Sequence, residues 1–179
     1  MLIRPMLIRA ATTDDAALLH EIAAATFPLA CPPDTLPESI EAFIGKHLSV
    51  DAFASYLKDS ERDLFLGSID GTPSGYTMVV YGEPSDADVA ASVALRPTAE
   101  LSKCYALPEA HGSGLAAAIV ASSADAARTR GATSLWLGVN QQNVRARRFY
   151  EKCGFSVVGT KKFLVGQRYE DDFVYVLEL

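Results

Sequence analysis

Two short stretches hold residues whose types and spacing could do chemistry. The first is His111-Gly112-Ser113-Gly114-Leu115-Ala116-Ala117, which opens an alanine-rich run. Glycines at 112 and 114 let the main chain turn tightly and approach a ligand without interference from a Cβ, so several N–H groups can converge on phosphate oxygens. Beyond them Leu115, Ala118, Ile119, Ser122 and Ala126 repeat at the spacing of an amphipathic helix. The unpaired first-turn N–H groups and the positive end of the dipole then face the same anion, and the segment reads as a pyrophosphate cradle.

Gly112-Ser113-Gly114-Leu115-Ala116-Ala117 also fits the G-x-G-x-x-A fingerprint of dinucleotide-binding folds. That reading needs an acidic residue about twenty positions later to hold a ribose hydroxyl. Between Asp125 and Glu151 there is no Asp or Glu, which counts against a nicotinamide cofactor.

The second stretch is Asn143-Val144-Arg145-Ala146-Arg147-Arg148-Phe149-Tyr150, followed by Cys153-Gly154-Phe155. Ala146, Phe149, Tyr150 and Cys153 share one helix face, and Gly154 stands where a left-handed cap is expected. Tyr150 therefore points inward. A tyrosine on such a stripe is ordinarily core, but this one follows a strand, an Asn seven residues earlier and the phosphate loop.

The elements that must position these residues follow from local signals. Leu7 to Ala10 reads as a strand, and Thr13 with Asp14 and Asp15 opens a helix that runs towards Thr26 and ends at Phe27-Pro28. Ile40, Phe43, Ile44, His47 and Leu48 form a helical stripe, and Ser49 caps a further helix with Phe53, Tyr56 and Leu57. Leu64 to Ile69 and Tyr76 to Tyr81 flank hairpin chemistry at residues 70–75, and Gly82 to Asp88 reads as an acidic loop. Glu100 to Leu107 and Ser134 to Val139 read as strands on either side of the phosphate helix. Val157 to Val165 and Phe173 to Leu179 form a closing antiparallel pair. This order implies one α/β domain with a mixed sheet.

The chain has 179 residues, 49% apolar and 21% charged, with a net charge of −6. That suits one soluble domain, and no apolar run approaches the ~20 residues that cross a bilayer. The acidic balance argues against a nucleic-acid partner. Arg4 and Arg9 break the apolar character a signal peptide needs, and Met1-Leu2-Ile3-Arg4 is echoed by Met6-Leu7-Ile8-Arg9, so Met6 is a second candidate start. Cys31, Cys104 and Cys153 cannot all pair and form no metal-ligand spacing, which implies a reducing, cytoplasmic setting and no metal.

The order of strand, glycine loop, helix, strand and N-x-x-A-x-x-F-Y-x-x-x-G-F resembles the GCN5-related N-acetyltransferases, or GNAT family, from about Leu7 onward. The family's Q/R-x-x-G-x-G/A signature falls on His111 to Ala116, with His at its first position. Thr26-Phe27, Glu100 to Leu107, Trp136-Leu137-Gly138-Val139 and Phe163-Leu164-Val165-Gly166 with Asp171-Asp172 resemble the PaiA-type acetyltransferases of spermidine and spermine; Asn140 stands where that group has Trp.

The resemblance implies the GNAT fold: a central, mostly antiparallel mixed sheet, strands 4 and 5 splayed, helices on both faces. It implies acetyl-CoA as co-substrate and a small-molecule amine as acceptor, with no metal. Pantetheine would add like a strand along Cys104, Tyr105, Ala106 and Leu107. Its pyrophosphate would lie on the loop from His111 through Gly112, Ser113, Gly114, Leu115 and Ala116 to Ala117, and Asn143 would hold the arm. A primary ammonium, pKa near ~10, must lose a proton before attacking the thioester, and the departing thiolate must gain one. Glu100, eleven residues before His111, is the implied base, directly or through water, and Tyr150 the acid. Cys104 and Cys153 lack a nearby His and read as core rather than as acetyl carriers. Glu38, Glu41 and the loop from Glu83 to Asp88 are expected to border the acceptor. An amino acid, an aminoglycoside or a protein N-terminus is an alternative acceptor, and a non-catalytic coenzyme A sensor the alternative from another class. A homodimer is compatible with the sequence.

Overall fold

The computed structural model describes residues 3–179; Met1 and Leu2, and with them the first half of the Met-Leu-Ile-Arg echo, lie outside the described residues. Local signals account for most of the elements. Strand β1 (Met6–Ala10) leads through a 3₁₀ turn into helix α1 (Ala16–Ala30). The N-terminal cap is one residue earlier than expected: Asp15 accepts hydrogen bonds from Thr12 N (2.7 Å) and is clasped by Arg9 at 2.8 Å. Pro28 does not end α1. A proline removes only its own backbone bond, and near the helix end the last turn persists, held by Phe27 stacked on Phe43 at 4.4 Å.

Helices α2 (Pro37–His47) and α3 (Val50–Lys58) follow, α3 capped by Ser49 Oγ accepting from Ala52 N. Strands β2 (Arg62–Ile69) and β3 (Thr72–Tyr81) turn on Asp70 and Gly71 alone, both at positive φ. Pro73 thus belongs to the strand, beside a register shift at Gly67 and Ser68. The acidic segment after β3 is not all loop. Asp86 accepts from Asp88 N and Val89 N and starts the short helix α4 (Ala87–Ser92), whose Val89 packs with Val93 on Trp136.

Strand β4 (Thr98–Ala106), helix α5 (Leu115–Thr129), strand β5 (Ser134–Asn140), helix α6 (Val144–Lys152) and strands β6 (Ser156–Val165) and β7 (Arg168–Glu178) complete the chain. β7 begins at Arg168, five residues before the expected Phe173, because the run of charges from Arg168 to Asp172 is strand, with Glu170 and Asp172 turned inward. The sheet order is β1-β2-β3-β4-β5-β7-β6, antiparallel except for β4 and β5. One core cluster packs the sheet against α5 and α6, a second packs it against α1, α2 and α3.

The parallel pair matters most. β4 and β5 are in register only from Thr98 to Glu100 against Ser134 to Trp136. Ser134 Oγ, 2.7 Å from Thr98 Oγ1 and donating to Leu95 O, pins that closed end. Beyond it β4 follows β3 through a register shift at Met78 and Val79, while β5 stays paired with β7 as far as Asn140. A bulge bends and twists its strand, and a V-shaped gap opens between β4 and β5. Among the described residues no helix is long and apolar enough to cross a membrane.

Candidate functional site

The gap widens into a cleft of about 700 Å³. Its first wall is the exposed side of β4. Leu107 N donates to Ser74 O of β3 at 2.8 Å, and strand alternation therefore aims the N–H and C=O of Ala106 and Cys104 at the gap. His111 Nε2 donates to Ala106 O at 3.1 Å, bridging the loop to this free edge.

The second wall is the glycine loop. Gly112 and Gly114 have φ of +79° and +87°, and a Cβ on either would meet nothing within 4 Å. Both conformations favour glycine. Ser113 N bonds to Ala110 O and Leu115 N to Ser113 Oγ, while Ala118 N is the first to bond back into the helix, to Gly114 O. No protein acceptor among the described residues takes the N–H groups of Gly112, Gly114, Ala116 and Ala117, and these same four residues line the cleft. Four free donors at the N-terminus of a fifteen-residue helix make a built anion cradle. Arg145 and Lys152 of α6 line the cleft as well. Leu107, Ser113 and Leu115, expected in the site, do not line it; Leu115 is fully buried beside Ile69, Ala110 and Ile119.

α6 supplies the third wall. Asn143 Oδ1 accepts from Ala146 N at 3.1 Å, so its carbonyl caps the helix while the residue lines the cleft. Tyr150 is buried edge-on between Phe149 and Phe155, and Cys104 packs against the same cluster. Burial, with Cys104 and Tyr105 nearby, holds Tyr150 well above its ordinary pKa, so it carries its proton at neutral pH. Burial likewise pushes the Cys104 thiol up to about 12, which leaves no thiolate to carry an acetyl group.

The fourth wall holds the carboxylates. Glu100 stands at the vertex of the gap and lines both the cleft and an adjoining cavity of about 300 Å³. Its pKa is raised by burial and drawn back by Lys161, Lys103 and Arg62. On β7 lies Asp172, pushed up to about 6 by burial against the opposing field of Lys161. Glu170 lines the cleft too, fixed by Arg168 Nε at 2.8 Å. Asp172, Glu170 and Lys161 were not expected in the site. The signal for the acids was available: two carboxylates at i, i+2 share one strand face, and here that face is the inner one. Of the acids expected at the acceptor side, Glu83 and Asp86 line the smaller cavity, with Glu83 bonded to Arg96 and Asp86 capping α4; Glu38 and Glu41 do not line the cleft.

Residues 18–155 match the acetyltransferase (GNAT) family. This chain belongs to that family. It is 46% identical, over 92% of its length and 98% of the relative's, to an uncharacterized N-acetyltransferase of Mycobacterium tuberculosis. Among solved structures, the PaiA N-acetyltransferase of Thermoplasma acidophilum in complex with coenzyme A superposes with a TM-score of 0.77 at 20% identity, covering 98% of this chain and 99% of that one. The yncA protein of Salmonella typhimurium with acetyl-CoA gives 0.70 at 20% identity, covering 98% and 94%. The chain is accordingly an N-acetyltransferase with the GNAT fold. Among the described residues no group of three or more His, Cys, Asp or Glu is placed to hold a metal.

Proposed function

We propose that this GNAT chain moves the acetyl group of acetyl-CoA directly onto a primary amine while both are bound, and that the amine is a polyamine such as spermidine. The observation that carries the transfer reading is the coincidence in one cleft of an anion cradle with four free N–H donors, a free strand edge and a protonated tyrosine. The cradle fits the pyrophosphate of the donor. The edge offers Cys104 and Ala106 to the two amides of pantetheine, and the Nδ2 of Asn143 is left over from capping for the same arm.

The chemistry takes two protons from the acceptor nitrogen and gives one to the leaving sulfur. Glu100 receives the acceptor ammonium and takes its proton, directly or through water. The free amine attacks the thioester carbon, the C–S bond breaks as Tyr150 protonates the leaving thiolate, and the second proton of the acylated nitrogen returns to the tyrosinate. An N-acetylated amine, free coenzyme A and one proton released to solvent balance the reaction.

Charge supports a cationic acceptor. Glu100, Glu170 and Asp172 line the cleft, and Glu83 and Asp86 extend the acidic lining into the adjoining cavity. A polyamine can place one ammonium at Glu100 and a distal one further along this lining. The test is a panel of amines with release of free thiol from acetyl-CoA as readout. Spermidine and spermine should lead the panel; turnover with an amino acid, an aminoglycoside or a peptide N-terminus and none with polyamines would overturn the acceptor, and no release with any amine would overturn transfer.

A further inference from the structure

Lys161 on β6 lines both the main cleft and the adjoining cavity. Its side chain is 14% exposed, and that of its neighbour Asp172 is 8% exposed. The two face each other at 4.0 Å, beyond hydrogen-bonding distance. From β4 the second carboxylate, Glu100, feels the same ammonium. On β5, Gly138 lets the lysine lie close: a Cβ there would sit 3.2 Å from Lys161 Cδ and 3.7 Å from its Nζ. The Phe163 ring lies 5.3 Å from that Nζ. Lys161 makes no hydrogen bond among the described residues, in contrast to Lys162, which is clasped by Asp171 at the surface. A largely buried ammonium thus lies 4.0 Å from one buried carboxylate, without a tight partner, and within the field of a second, half-buried one.

We propose that Lys161 holds the place of the acceptor ammonium and sets which cations the site accepts. This rests on the transfer reading. Removing the charge of Lys161 leaves Glu100 and Asp172 one negative charge more for an incoming ammonium, with Lys103 and Arg62, which also act on Glu100, unchanged. When the acceptor arrives, the long lysine side chain swings toward the adjoining cavity, which it already lines, and the substrate nitrogen takes its position between the carboxylates. The groups facing this point are Glu100 from β4, with Lys103 of β4 and Arg62 of β2 also acting on it, Asp172 and Glu170 from β7, Phe163 on the lysine's own strand, and Glu83 and Asp86 across the small cavity.

Lys161→Met keeps the length and apolar stem of the side chain and removes the charge. Calorimetry of spermidine on the coenzyme A-loaded protein should then show about tenfold tighter binding, with a smaller gain, about threefold, for a monoamine such as butylamine, because the carboxylates now have one negative charge more to offer a polycation. Lys162→Met, which removes the same charge one residue away on the outer face, is the field control and should change neither. The acid limb of any turnover profile should move to higher pH in Lys161→Met, since the carboxylates lose a cation that lowers their pKa. Unchanged or weaker spermidine binding in Lys161→Met, or an equal gain in Lys162→Met, overturns the assignment. The binding arm needs no turnover, so a failure of transfer shows itself separately, as wild-type protein that binds amines and releases no thiol.

Discussion

Tyr150 on α6 packs beside Cys104 on β4, next to the gap that opens where β4 and β5 part. The pair joins the two walls of the cleft and leaves both groups protonated at neutral pH.

Tyr150→Phe keeps the ring between Phe149 and Phe155 and deletes only the hydroxyl. Turnover should fall by roughly 10²-fold, the lower range for losing a positioned acid. Coenzyme A affinity and thermal stability should stay near wild type, because the ring and its packing remain. Steady-state thiol release beside calorimetry of coenzyme A separates the two effects; wild-type turnover would return Tyr150 to a packing role.

Gly114→Val should weaken acetyl-CoA binding tenfold or more, on the order of 1.4 kcal/mol. The branched side chain would enter the open space in front of the free N–H groups, at a φ of +87° that also strains the loop. Gly71→Val provides the control. Its φ is +78° in equally open space, at the β2–β3 turn, so it should share the strain and leave binding intact. Equal loss of affinity in both variants would mean that strain, not blockage, is being measured.

Much of this was readable from local chemistry. Ser49 before an apolar stripe, Asp70-Gly71 between two strands, and Gly114 ahead of an alanine run each dictate their structure within a few residues. Tyr150 was readable because helical periodicity fixes its face. The failures share a cause, which is that the deciding contact is distant in sequence. Pro28 reads as a stop, yet the last turn of α1 is held by Phe43. The charges from Arg168 to Asp172 fall before the strand that the apolar pattern starts at Phe173, but Asp34 and Lys162 pair with the outward-facing ones, and the cleft receives Glu170 and Asp172. An acid inside a strand is inconsistent with a core and consistent with a site. The splay itself has no local signature, since it follows from β4 and β5 being committed to different neighbours.

Asp172 should make the protein less stable at neutral pH than at low pH. Its folded pKa, pushed up to about 6, exceeds the ordinary 3.8, so the folded state holds the proton more tightly. The stabilisation from protonation is complete below about pH 4 and is lost as pH rises through 6. Two units correspond to roughly 3 kcal/mol as an upper bound. Asp172→Asn, a neutral mimic, should therefore raise the melting temperature at pH 7.5 relative to wild type, with the gain shrinking to nothing near pH 4. A pH-independent difference would place the cause in packing instead.

Recognition of a polyamine by the lining carboxylates should be strongly screened by salt. The acids that would meet the distal ammonium, Glu83 and Asp86, are near the surface, and Glu83 is already engaged by Arg96, so their pull on a substrate is largely long-range. The Debye length shrinks from ~10 Å at 0.1 M salt to ~3 Å at 1 M. KM for spermidine should rise several-fold over that range while kcat changes little, since transfer itself takes place in the buried end of the cleft beside Tyr150. Glu83→Gln should raise KM for spermidine at low salt, flatten the salt dependence and leave KM for a monoamine unchanged. A spermidine KM that is indifferent to salt and to Glu83→Gln would remove the electrostatic case for a polyamine while leaving the acetyltransferase intact.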